Sequence, residues 1–233
     1  TSSSKYLETL RTVYRKASNE GVTDQLTNPF QNFKIQRGQV KKDRLTEEEI
    51  QAIIELKLEE GSLIWHVRNS FLFSFYCAGI RASDILQLKW KNIIDGRLVY
   101  KMQKTNRPHT MKLHDKAKAI LDYYGPRDPE NFVFSYLDNN VDYSDPEFAF
   151  NQLNSKTVLL NKYLGKIAKM SEIEKRVTTH TARHSFADIA RQKTDNLYNL
   201  SKTLGHSSIK ITEAYLASFD EKAVDDTLDE VFK

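Results

Sequence analysis

The chain has 233 residues and a mass of 27.0 kDa, with 39% apolar and 28% charged residues, a composition suited to a globular fold with a full-sized core. Its longest apolar stretches, such as FLFSFYCAGI at 71–80, fall short of the roughly 20 residues of a membrane-spanning helix; the first residues lack a signal-peptide core, and Cys77 as sole cysteine excludes an internal disulfide. The net charge is +4, but six acids against two lysines in residues 218–233 leave +8 on residues 1–217, a balance that suits a polyanion such as DNA or RNA.

These features predict a reducing, cytoplasmic setting with no membrane partner. Residues 4–20 place Tyr6, Leu10, Val13, Tyr14 and Ala17 at helical spacing, and Gly21 supplies a stop. One amphipathic helix with nothing beside it in sequence to cover its apolar face reads as the C-terminal end of a helical domain, residues 1–27. Residues 28–45 follow as a basic linker, in which Lys34, Arg37, Lys41, Lys42 and Arg44 stand against Asp43. Lys41, Lys42 and Arg44 are candidate DNA-binding residues.

A second domain, 46–217, opens on Thr46 as N-cap with Glu49 three residues on, the capping-box spacing, ahead of Ile50, Ile53 and Ile54. A strongly apolar helix is predicted over 62–78, and Ser83 is placed to cap another through SDILQLKW. Two alternating segments, 97–103 and 109–113, read as a hairpin around KTNRP with Lys104 at its tip. Helices are predicted at 115–124, 147–170, 182–193, 196–204 and 208–217. The fold class is therefore mainly α with a small antiparallel β-sheet. In the acidic tail, Val224, Leu228 and Val231 recur at i, i+4 and i+7, which predicts a short amphipathic helix over 220–233.

Residues 180–186, HTARHSF, carry the densest chemistry. His180 and His184 have zinc-ligand spacing, but the glutamate of HExxH is replaced by Thr-Ala-Arg, and Arg183 repels a cation; no metal is expected. No G-x-S-x-G elbow supports a serine hydrolase. A phosphate reading fits better, because His180 and Arg183 lie three apart at a helix start, where backbone N–H groups already favour an anion, and a guanidinium can grip two phosphate oxygens. Arg81, directly after the most apolar helix, Lys104 on the hairpin, and His206 after Leu204-Gly205 offer groups of the same kind. Tyr215 follows His206 by nine residues. His66, His109, His114 and His184 read as structural, His184 supporting the site from behind, and Cys77 as core.

Taken together, AGIRASDILQLKW, QKT, HTARHSFA and LGHSSIKITEAY in that order, with steps of three from His180 to Arg183, 23 to His206 and nine to Tyr215, resemble the tyrosine recombinase (phage integrase) family. One departure is Asp84, where the family often has glutamate. The resemblance implies the family's catalytic-domain fold and a site-specific recombinase or integrase that cuts and rejoins DNA, at mobile-element or chromosomal sites, through a covalent 3′-phosphotyrosine. Tyr215 is then the nucleophile, Arg81, Arg183, His180 and His206 the phosphate donors, Lys104 the general acid and His180 a candidate acid/base for the tyrosine proton. No cofactor is implied. The partners implied are double-stranded DNA, three further copies in a homo-tetramer on paired sites, with the tail helix contacting a neighbouring protomer, and a DNA-bending accessory protein. A type IB topoisomerase and a catalytically silent DNA binder are the rival readings.

Overall fold

Helix α1 (Ser2–Asn19) stops where Gly21 turns to φ +73° and the Val22 N–H returns to the Ala17 carbonyl at 2.9 Å. Along its length Tyr6, Leu10 and Val13 are exposed, while Tyr14 meets Phe30 edge to face and Phe30 meets Phe33 in the same way. These contacts belong to the first of two compact units, Thr1–Lys41 and Lys42–Lys233. The computed structural model describes residues 2–23, 28–35, 42–125, 127–194 and 196–217; the tail helix expected over 220–233 lies outside them.

The second unit is mainly helical with one small sheet. Helix α2 (Glu47–Glu55) starts on the expected capping box, with Thr46 Oγ1 accepting from Glu49 N and Glu49 Oε2 from Thr46 N. Helix α3 (Leu63–Tyr76) is capped by Ser62 and buries Val67, Phe71, Leu72 and Phe73. Because it is apolar on nearly every side, it can serve as the central helix: α5 (Asp115–Tyr124), α6 (Pro146–Met170) and α7 (Thr179–Lys193) all pack against it. Phe73 on Phe134 and Phe75 on Phe186 are edge-to-face pairs within these layers.

Helix α4 departs from expectation. It is only Ala82–Leu86, and its N-cap position is Arg81, without a side-chain cap bond. Ser83 already lies inside the helix, so it cannot cap; the chain enters the helix directly from the turn at Gly79. Strands β1 (Ile93–Ile94), β2 (Arg97–Lys101) and β3 (Pro108–Lys112) form an antiparallel sheet in that order, with Leu98 opposite Met111 and Tyr100 opposite His109. The sheet adds one short strand to the expected hairpin, and Lys104 falls in the loop between β2 and β3. Helices α8 (Leu197–Thr203) and α9 (Ile209–Ala217) close a smaller core in which Leu200, Leu204 and Leu216 meet Ala187 of α7. Among the described residues no helix is long and apolar enough to cross a membrane.

Candidate active site

The site is organised around Arg183. Helix α7 begins at Thr179, after Thr178 as N-cap and earlier than the predicted 182, so His180 occupies its first turn and Arg183 its second. The turn after α3 runs under that second turn so closely that a Cβ on Gly79, which sits at φ +71°, would lie 2.4 Å from Arg183 Cα. Glycine is required there on two counts, conformation and space. Arg183 Nη1 donates to the Gly79 carbonyl at 3.1 Å, and Nη2 donates to the Leu204 carbonyl at the end of α8 and reaches His206 Nε2 at 3.1 Å. One guanidinium thus ties together the three chain segments that carry Arg81, His180 and His206.

His206 is fixed from both sides. Arginine can only donate, so Nε2 accepts from Arg183 and the ring proton is on Nδ1, which donates to Thr212 Oγ1 at 2.9 Å. Arg81 reaches the hairpin loop, with Nη1 3.6 Å from Met102 Sδ. Asp84 holds the same loop: its Oδ1 accepts from Gln103 N at 2.9 Å, next to Lys104. Burial pushes the Asp84 carboxyl above its ordinary range, against the Gln103 bond and the charges of Arg81 and Arg183. The shorter aspartate side chain therefore still ties the loop to α4.

Electrostatics place all six candidate groups in one field. Burial lowers the pKa of His206 to about 4, helped by Arg183, Arg81 and Lys104. His180 presents an exposed face but is crowded enough that desolvation, then Lys104, Arg81 and Arg183, lower it as well. Arg183 itself is brought down to about 10 by burial and by Arg81. Burial raises the Tyr215 phenol to about 12, with Arg183 and Arg81 opposing the rise. Such mutual shifts among clustered cations mark a surface that lacks its counter-charge, which an anion supplies. A separate concavity of about 600 Å³, lined by residues including His66, Tyr123, Tyr124, Arg127 and Tyr136, contains none of these groups.

Two residues take positions that the spacing of the motifs did not disclose. His184, expected behind the site, is hydrogen-bonded through Nδ1 to the Tyr215 hydroxyl, with ring centroids 5.5 Å apart. Lys42, expected in the linker, lies with Nζ 4.9 Å from the Tyr215 ring centroid. The segment before Thr46 is pinned on α7, where Leu45 N donates to the buried Ser185 Oγ at 2.8 Å and Arg44 Nε donates to Asp188 Oδ2 at 2.8 Å. Arg44 is thereby engaged within the protein, and Lys41 lies outside the described residues. No group of three or more His, Cys, Asp or Glu suited to a metal occurs among the described residues.

The family model described as the phage integrase family matches residues 43–222. The chain belongs to the phage integrase family. Curated family members agree: the tyrosine recombinase of Thermosipho africanus is 29% identical over 229 residues, 97% of this chain and 74% of its own length. Tyrosine recombinase XerC of Pediococcus pentosaceus is 25% identical over 232 residues, 95% of this chain and 73% of its own. Phage integrase folds are also found among solved structures. A lambda integrase dimer bound to a COC′ core site superposes with a TM-score of 0.64 at 20% identity, over 89% of this chain and 70% of that one. XerH bound to its difH substrate superposes with a TM-score of 0.57 at 19% identity, over 84% and 56%. At these identities the superpositions establish the shared mainly helical fold.

Proposed function

We propose that this tyrosine recombinase opens and reseals DNA strands at specific sites with Tyr215 as its nucleophile. The observation that carries the reading is that Arg183 and Arg81 act on the Tyr215 phenol while the same two arginines, with Lys104, act on His180 and His206. Attack on a phosphodiester builds negative charge on the phosphoryl oxygens, so preplaced cationic donors lower the barrier more than any other single device. Bound phosphate also raises the pKa of the crowded histidines, which then hold it as donors.

The covalent phosphotyrosine stores the bond energy between cleavage and rejoining. Its linkage is to the 3′-phosphate, so the leaving group is a 5′-oxygen that needs a proton. Lys104, on the loop held by Asp84, supplies it. No energy cofactor enters the cycle. Double-stranded DNA is the partner, with Lys41, Lys42 and Arg44 as its proposed phosphate contacts, Arg44 also pairing with Asp188. Solved relatives described as bound to a core site or, for lambda integrase, as a tetramer on a Holliday junction support assembly of four copies on paired sites. A DNA-bending accessory protein and a cytoplasmic setting complete the proposal.

Trapping on a nicked suicide substrate tests it. Tyr215→Phe is expected to bind DNA normally and form no covalent adduct. An adduct formed by Tyr215→Phe assigns the nucleophile elsewhere and ends this reading.

A further inference from the structure

The phenol proton of Tyr215 needs an acceptor, and the geometry restricts the choice. His206 faces Tyr215 edge-on at 5.7 Å between centroids, but both its ring nitrogens are engaged, Nε2 with Arg183 and Nδ1 with Thr212. His180 is one turn from His184 with centroids 6.4 Å apart, and its charged neighbours are Lys104, Arg81 and Arg183, the groups assigned above to the phosphate. Among the described contacts, the histidine hydrogen-bonded to the phenol oxygen is His184.

We infer that His184 is a catalytic residue of this site, its Nδ1 accepting the phenol proton as the Tyr215 oxygen attacks phosphorus. The inference rests on Tyr215 being the nucleophile. In the step, a bond forms between the phenol oxygen and phosphorus while the bond from phosphorus to the 5′-oxygen breaks. The phenol proton passes to His184 Nδ1, leaving an imidazolium, and the departing 5′-oxygen takes a proton from Lys104. Rejoining reverses both transfers.

The surroundings keep the imidazole neutral and so able to accept. Burial, then Lys42, His180, Arg183 and Arg44, bring its pKa down to about 4. Asp188, one turn further along α7, is paired with Arg44 and Arg191. The acceptor role places the proton of neutral His184 on Nε2 and leaves Nδ1 facing the phenol. Lys42 over the ring favours the phenolate as it forms. Arrival of the DNA phosphate cancels part of the cationic field and makes the imidazole a stronger base when it is needed.

Adduct formation on the nicked substrate, measured against pH, tests the assignment beside two controls. In His184→Asn the amide oxygen can still accept a hydrogen bond but takes up no proton. Its adduct rate is expected to fall about 10²-fold or more, to lose the decline with acid that the wild type shows, and to leave DNA affinity within about twofold. His180→Gln is expected to keep that acid decline. A wild-type rate and pH profile in His184→Asn removes the proton role while Tyr215 stands as nucleophile. An adduct formed by Tyr215→Phe sinks both assignments together. A second measurement needs no His184 variant: in nitrogen-15 spectra of the wild type, His184 Nδ1 is expected to be an unprotonated acceptor whose resonance moves in Tyr215→Phe. A protonated Nδ1 at neutral pH overturns the inference.

Discussion

At the scale of single residues, Gly79 shows how little room the site leaves. A side chain there must adopt φ near +71° and also displace Arg183, whose Cα would lie 2.4 Å from the new Cβ. Strain of this kind costs on the order of 1–3 kcal/mol before any movement of α7 is counted. Gly79→Ala is therefore expected to lose at least that much stability in urea unfolding and to abolish adduct formation, because shifting Arg183 disturbs its bonds to Leu204 and His206 as well. Retention of full activity at reduced stability would show that the clamp tolerates displacement. Lys104→Ala makes a chemically sharper case. It is expected to slow cleavage of an ordinary 5′-oxygen substrate by about 10²–10⁴-fold, and to act normally on a bridging 5′-sulfur substrate, since a thiolate leaves without a proton. Equal defects on both substrates would assign Lys104 to positioning.

Among the elements, the segment 42–45 is held as part of the catalytic unit, although its composition resembles a linker. Ser185 on α7 is fully buried and receives the Leu45 N–H, while its own hydroxyl donates to the Thr181 carbonyl. Ser185→Ala leaves that backbone N–H without a partner, at a cost of about 1–3 kcal/mol, and loosens the anchor that sets Lys42 over Tyr215. A drop of that size in stability, with a slower adduct rate but unchanged cleavage products, is the expected result. The same segment explains what could be read from the sequence. Steps of three, 23 and nine residues bring His180, Arg183, His206 and Tyr215 to one place because each sits at a helix start, a helix stop or one turn away, features that leave a local signature. Capping by Thr46 was legible for the same reason. The pairing of His184 with Tyr215, and of Lys42 with its ring, depends on how α9 and residues 42–45 return to α7, which no local pattern encodes. Ser83 misled because a good capping side chain says nothing about where the preceding turn delivers the backbone.

For the whole molecule, pH and salt are the informative variables. Burial lowers the pKa of His66, His109, His180, His184 and His206, the last two to about 4 from an ordinary 6.5. A histidine kept neutral by the fold takes up its proton more readily in the unfolded chain, so below pH 6.5 the unfolded state binds more protons. Stability from these groups is complete above 6.5 and is lost as pH falls toward 4. The melting temperature is expected to be level above pH 6.5 and to decline steadily below it; a flat curve down to pH 4 contradicts the buried, neutral assignment. Saturating DNA should blunt the decline for His180 and His206 by offsetting the surrounding charge. Affinity for DNA is expected to fall steeply with salt, as phosphate contacts release counterions, and a salt-insensitive binding constant would count against the basic face as the contact surface.

The clamp made by Arg183 also bears on when, during synthesis, the proposed activity becomes complete. Arg183 is 104 residues beyond Gly79 and 21 short of Leu204 in sequence. At synthesis rates of about 5–20 residues per second, roughly one to four seconds separate translation of the guanidinium from that of its last carbonyl partner, and Tyr215 follows later still. On the proposed assignments, a half-made polypeptide therefore lacks both the finished clamp and the nucleophilic hydroxyl. On that reading chain order works as a safety catch, in which the capacity to break a strand matures last.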